Sequence, residues 1–272
     1  MRLLVAGADQ VDAGKTTFSV GLLARIGGTG FKPRAGNDYW FDHDDYRAAV
    51  GDGRLYGKDA NRLAAASNGD PDPEEINPIH RLWQPAPGNP GMLGRDDRQF
   101  VVDRVAGSYV VNAAATVPDL AGERLPLSDA VRVDSLSAFN EVMATRHAAA
   151  QRAVEERIRE ADPAVVESYA DVARPVASAT PDAVAVVEPT RARIYDGDRY
   201  WKACEVASGR PEEGRLEERT GSVVELADPR SRVSLPALSA AERSDPEAIA
   251  AAYETAFDAL LSVARDERRF PL

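Results

Sequence analysis

The stretch that most constrains this chain is Gly7-Ala8-Asp9-Gln10-Val11-Asp12-Ala13-Gly14-Lys15-Thr16-Thr17, set between an apolar run and an amphipathic one. Before it, Leu3, Leu4, Val5 and Ala6 are continuous rather than alternating, which reads as a strand buried on both faces, as in a parallel sheet. After it, Phe18, Leu22, Leu23 and Ile26 recur at helical spacing, and Gly27-Gly28 ends the run. A glycine-bounded loop between a strand and a helix start turns its backbone N–H groups inward. With the helix N-terminus it makes a nest for anions, phosphates above all. In that nest Lys15 would neutralise β- and γ-oxygens, the Thr16 hydroxyl would reach Mg²⁺, and Thr17 would hydrogen-bond the α-phosphate. Gly7, Asp9, Asp12, Ala13 and Gly14 would line the nucleotide phosphates, Gly14 because a side chain there would collide with them. The usual pattern has glycine where this chain has Asp9, and Gly7 lies two residues earlier. The alternative, an accidental Gly-Lys-Thr at a helix start, is opposed by the order strand, loop, helix. The expected cofactors are therefore a nucleotide, ATP with GTP as the alternative, and Mg²⁺.

The rest of the chain keeps alternating. Residues 30–35 read as a second strand and 59–66 as a helix; 68–94, rich in Pro, Gly and Asp, read as loop. Two strands, 100–104 and 108–113, flank the turn Ala106-Gly107, and 137–161 form a long helix closed by Asp162-Pro163. Residues 164–168 and 183–188 are short apolar runs of the buried-strand kind, and 191–208 are helical in part. Weaker strands are expected at 222–226 and 232–235, and an amphipathic helix at 245–265. Strands alternating with helices imply an α/β fold: a doubly wound, mostly parallel sheet of the P-loop NTPase type. The expectation is one domain over 1–272, with a small hairpin-plus-helix insertion at 91–161.

Composition excludes other classes. The formal net charge of −11 repels nucleic-acid backbones and anionic lipid, so neither a nucleic acid nor a membrane is an expected partner. Cys204 is the only cysteine, which rules out an intramolecular disulfide and a cysteine zinc site. His43, His80 and His147 are scattered without metal-ligand spacing. The apolar start is too short for a signal-peptide core, and no run approaches the ~18 apolar residues of a membrane span. A soluble, cytoplasmic protein is expected.

The Gly-x-Asp start before Gly-Lys-Thr resembles dethiobiotin synthetase and the P-loop branch that includes cobyric acid synthase-like and MinD-like ATPases. Family members usually have one residue fewer between the two glycines. Further segments follow in the family's order. Phe31-Lys32-Pro33 is similar to the Lys-Pro segment that ends its second strand, and Lys58-Asp59-Ala60 to its Ser-Asp-Ala helix start. Ile76-Asn77-Pro78 resembles its Val-Asn-Pro-Tyr. Val165-Val166-Glu167 fits the strand ending in Val-Glu-Gly-Ala-Gly-Gly, and Leu235-Pro236-Ala237-Leu238 its late Ile-Pro-x-Leu. The resemblance implies that Asp59 and Glu167 complete a Mg²⁺ site with Thr16, and that Lys32 and Lys15 are catalytic, with Lys32 facing the transferred phosphate. It also implies that Pro236 and Leu238 lie beside the base. From the residues alone, Asp59 reads equally as a helix N-cap and Glu167 as a solvated strand end. Ser168-Tyr169-Ala170-Asp171 stands where the family has glycines, so the biotin precursor is not carried over.

Two further segments are candidates. Residues 37–45 gather Tyr39, Trp40, Phe41, His43 and four aspartates. They could form an acceptor wall with Asp38 or Asp44 as base, or an acidic loop pinned by its aromatics. Arg191 and Arg193 could grip a phosphate or pair with surface carboxylates. The expected function is Mg-ATP-dependent phosphoryl transfer to an unidentified small polar, carboxylate or carbamate acceptor. The alternative is a MinD-type nucleotide-dependent switch acting on a partner protein, and a homodimer is among the expectations.

Overall fold

The computed structural model describes residues 1–7, 14–86, 98–207 and 218–269. Gly7 and Gly14–Thr17 of the loop are therefore described, whereas Asp9, Asp12 and Ala13 lie outside the described residues.

The chain divides into two compact units. The first comprises Met1–Pro33, Arg62–Pro71 and Glu155–Leu272, and the second Arg34–Asn61 and Asp72–Val154. In chain order the described strands are β1 (Arg2–Gly7), β2 (Thr29–Phe31), β3 (Arg34–Asp38), β4 (Ile79–Pro85) and β5 (Arg98–Val105). Then come β6 (Ser108–Asn112), β7 (Val131–Val133), β8 (Ala164–Glu167), β9 (Ala183–Glu188), β10 (Arg191–Asp196) and β11 (Ser231–Ser234). They form two mixed sheets in an α/β chain, where a single doubly wound sheet was expected. The second unit begins at Arg34 and has its own sheet.

The first unit's sheet has the order β11-β10-β9-β1-β8-β2. β9, β1, β8 and β2 run parallel, and β10 and β11 are added antiparallel at one edge. Its central strands carry continuous apolar runs because both faces are covered: Leu3, Leu4, Val5 and Ala6 of β1 and Val184, Ala185, Val186 and Val187 of β9 are all buried. The helix Lys15–Ile26 follows β1 and buries Phe18, Leu22 and Leu23. Phe18 meets Phe257 edge-on at 4.8 Å, which brings in the helix Glu254–Arg269. The helix Pro246–Ala252 crosses at Gly21, where a Cβ would fall 2.4 Å from Ile249 Cγ2; only glycine permits that approach.

Several local expectations change. The stretch 68–94 is not loop throughout: it holds the short helix Pro73–Ile76 and the strand β4. The run 30–35 is not one strand, because Pro33 has no N–H for a ladder; β2 ends at Phe31 and β3 starts in the other sheet. Residues 222–226 are not a strand: Val223 N–H bonds Arg219 O at 3.1 Å, within the short helix Thr220–Val224. The helix expected at 245–265 is broken at Tyr253 into Pro246–Ala252 and Glu254–Arg269.

The second unit's sheet has the order β3-β4-β5-β6-β7. β5 and β6 are joined by Ala106-Gly107, both with positive φ (46° and 81°), the twist a two-residue hairpin turn requires. The register slips between Leu82 and Trp83, so that Leu82 faces Val102 and Trp83 faces Phe100. Val101 is the extra bulged residue, and the slip keeps Val101 and Val102 together in one core. That core holds Tyr46, Leu55, Leu82 and Val111; the other holds Trp83, Phe100, Val110 and Phe139. The long helix expected at 137–161 is a run of three parts, Leu136–Val142, a π-helical turn Met143–His147, and Ala148–Glu160.

Candidate phosphate and metal site

In the first unit, the parallel register aligns the carboxyl ends of the strands that carry the sequence candidates. Val5 of β1 pairs with Glu167 of β8, and Gly7 pairs with Val187 of β9. Phe31 of β2 pairs with Val166, which puts Lys32 immediately past the same edge. β1 is flanked by β8 and β9, strands that come more than 150 residues later, so the order reverses across it. The carboxyl ends at such a reversal are where open α/β sheets hold ligands. β11 runs in the same direction as β9, and Leu235 N–H bonds Thr190 O at 2.7 Å. Exposed Pro236 and half-buried Leu238 thus leave the sheet at this same edge.

Gly14 begins the helix Lys15–Ile26 in a left-handed conformation, φ +82°. The nearest atom to a Cβ there would be Val187 Cγ1 at 3.9 Å, so within the described protein it is the backbone angle, not crowding, that calls for glycine. The helix has no acidic residue of its own in its first turn. Thr17 is half-buried on that turn.

Glu167 gathers the other side chains. It is fully buried, and its Oε1 accepts from Thr16 Oγ1 at 2.8 Å and forms an ion pair with Lys32 Nζ. Its Oε2 is buried and has no hydrogen-bond partner. Lys15, Thr16 and Lys32 are themselves buried, and Lys15 Nζ donates to Ala170 O at 2.7 Å. Taking a carboxylate and an ammonium out of water costs several kcal/mol each, and Coulomb attraction offsets this only when the remaining lone pairs are satisfied. One oxygen of Glu167 is not satisfied, which makes this pair poor as a stabilising device and suited to accept something further.

The structure thus brings Lys15, Thr16, Lys32 and Glu167 together. Asp59 stands in the second unit, on the first turn of the helix Lys58–Ala65. One partner of Lys15, the Ala170 carbonyl, was missed from sequence, since a backbone carbonyl carries no side-chain signature. Arg191 and Arg193 both reach Glu188, at 2.8 and 2.9 Å. Burial would raise the Glu188 pKa, but these two guanidiniums bring it below the ordinary value.

In the second unit, the segment 37–46 is an ordered turn. Asp38 Oδ1 accepts from the N–H groups of Trp40 and Phe41 at 2.9 and 3.2 Å. Tyr39 packs edge-on to Tyr46 at 5.2 Å, whereas Trp40 and Phe41 are 69% and 83% exposed. Tyr39 therefore anchors the turn, and the other two rings do not. Asp45 accepts from Asn37 Nδ2 and Lys58 N–H, and burial raises its pKa in spite of both bonds. A buried network on the opposite side of this sheet has no signature in the sequence. Arg81 grips Asp103 with two bonds of 2.7 and 2.6 Å, and His147 Nε2 lies 2.8 Å from Asp103 Oδ2. Burial works to raise the Asp103 pKa; Arg81 and His147 outweigh it and hold the carboxyl below its usual range.

Among the described residues, no group of three or more His, Cys, Asp or Glu could hold a metal ion. No helix among them is long and apolar enough to cross a membrane. No family model, no curated protein and no solved structure matches the chain.

Proposed function

We propose that the chain is a P-loop ATPase that binds Mg-ATP at the first unit's carboxyl edge and transfers a phosphoryl group to a small polar, carboxylate or carbamate acceptor. The observation that carries this reading is the convergence of Thr16 and Lys32 on Glu167, a buried carboxylate with one oxygen still unpaired, beside Lys15 at a helix N-terminus. The donor set fits Mg²⁺. This ion takes hard oxygen ligands and is usually held by one or two carboxylates with substrate phosphates and waters, so a cluster of three acids is not required. Thr16 Oγ1 and Glu167 would hold it, and when bound it would neutralise charge on the phosphate oxygens.

The chain's own residues supply positioning. Lys15 exchanges the Ala170 carbonyl for phosphate oxygens, a charge-assisted bond in place of a neutral one. The N–H groups opening the helix Lys15–Ile26 face the same phosphates. Lys32, short of solvent, stabilises charge that develops as the phosphoryl group moves. The acceptor class comes from the family resemblance, and no residue described above selects it. Calorimetric titration with Mg-ATP and Mg-GTP, in wild type and Lys15→Ala, tests the reading. Binding to the wild type that is lost in the variant supports it; equal binding to both removes Lys15 and with it the phosphate loop. Incubation with ATP, Mg²⁺ and a metabolite mixture, followed by mass spectrometry, then identifies the acceptor.

A further inference from the structure

We infer that Glu167 is held alternately by Lys32 and by the metal, so that arrival of the cation sends the Lys32 ammonium to the phosphate being transferred. The inference rests on the proposed nucleotide reading and adds a coupling between its two cations. Lys32 Nζ and Thr16 Oγ1 converge on one oxygen of Glu167, while Oε2 has no hydrogen-bond partner. The two donors differ in what they tolerate. A threonine hydroxyl can go on donating its proton to Oε1 while its lone pairs face a cation. An ammonium has three donors and no lone pair, so it can only be repelled by a dication arriving at the same carboxylate. The pair Lys32–Glu167 is therefore the contact that a metal weakens, and the pair Thr16–Glu167 is the one it can keep.

Lys32 cannot answer by moving into water. It is buried, and its backbone is fixed between the last residue of β2 and Pro33, whose ring sets φ. Its side chain has to pivot to another anion within the site, and a nucleotide phosphate arrives with the metal. Without metal, Lys32 stays on Glu167 and the phosphate lacks that charge. The arrangement makes phosphoryl transfer conditional on a filled metal site, and it allows Lys32 to disfavour metal binding when no phosphate is present.

The test uses Mn²⁺ and ADP with the full chain, reading free Mn²⁺ by electron paramagnetic resonance in ADP-saturated protein. Lys32→Gln keeps a hydrogen-bond donor to Glu167 but removes the competing charge, and should bind Mn²⁺ about tenfold more tightly than wild type. Lys32→Arg keeps the charge and should stay within about twofold of wild type. A Lys32→Gln affinity equal to or weaker than wild type overturns the inference. If Lys32→Gln does not fold, the wild type decides: the ¹⁵N resonance of the buried Lys32 ammonium should shift when Mg²⁺ is added to protein saturated with a non-hydrolysable ATP analogue, beyond its position with the analogue alone. An unchanged resonance overturns the inference. A wild type that binds no ADP removes the nucleotide reading itself. A wild type that binds ADP and Mn²⁺, with no gain in the variant, removes only the coupling.

Discussion

Among the described residues, each unit buries one carboxylate completely, and the two are treated in opposite ways. Asp103, in the second unit, has both oxygens engaged: Arg81 bonds Oδ1 and Oδ2 as a fork, and His147 adds a third contact. The Arg81 guanidinium also lies over the rings of Trp83, Phe100 and Phe139, between 5.1 and 5.3 Å from their centroids. Glu167, in the first unit, loads two donors onto one oxygen and leaves the other bare. A buried carboxylate with both oxygens engaged fixes one packing, and breaking it by removing one partner is costly. An unsaturated one gives up stability and keeps a place for a ligand. The comparison teaches that burial of charge is not itself a sign of function; the proposed metal site rests on the unfilled oxygen.

The sharpest way to break the comparison is to unpair each carboxylate. Asp103→Asn leaves Arg81 and His147 without their common anion and should destabilise the protein by about 3–5 kcal/mol. Denaturant unfolding monitored by Trp fluorescence measures it, and a loss under 1 kcal/mol would mean that the network carries little. The same carboxylate sets a pH limb. Arg81 and His147 hold its folded pKa below the ordinary carboxylate range, so its contribution is complete above about pH 5 and is lost as pH falls through that range toward the folded pKa. Unfolding midpoints between pH 6 and 3 should therefore fall less steeply in Asp103→Asn than in wild type.

Lys15→Ala should weaken Mg-ATP binding by about 100-fold, close to 3 kcal/mol, and calorimetry reads it directly. Glu167→Gln should lower stability by about 1–2 kcal/mol, less than Asp103→Asn, because one of its oxygens contributes no bond to lose. The same variant should abolish the dependence of nucleotide affinity on Mg²⁺. If it costs as much as Asp103→Asn, the contrast between the two carboxylates fails. The smallest effect belongs to Trp40→Ala with Phe41→Ala, two exposed rings whose turn is held by the Asp38 carboxylate and not by them. The midpoint should move by no more than about 0.5 kcal/mol in free energy. A larger drop would show that one of the rings is packed.

Much of the first unit could be read from the sequence, because its signals are local. Apolar continuity marked β1, β8 and β9, and the Gly-Lys-Thr start marked the helix Lys15–Ile26. The resemblance named Lys32 and Glu167, and these two meet in space with Thr16. What escaped was information that no short window contains. Phe31 and Ala35 lie four residues apart and look like one strand, yet Pro33 separates two sheets. Arg81, Asp103 and His147 are 22 and 44 residues from one another, and each alone reads as a surface residue. The bulge at Val101 depends on a pairing register that only the partner strand defines. Val223-Val224 has the side chains of a strand but no neighbour to take its backbone, and propensity yields to that.

The pairing of β1 has a consequence for how the chain is made. Its only neighbours, β8 and β9, start at Ala164 and Ala183, whereas the second unit is complete at Val154. At about 5–20 residues per second, a ribosome delivers β8 roughly 8–30 s after β1 has left it. Throughout that interval the most apolar strand of the sheet has emerged with both edges open, while the second unit can already fold. Leu3, Leu4 and Val5 then form the segment that a nascent-chain chaperone would have to shield. A chain truncated between Glu155 and Asp162 and released from the ribosome should have a second unit that resists protease and first seven residues that do not.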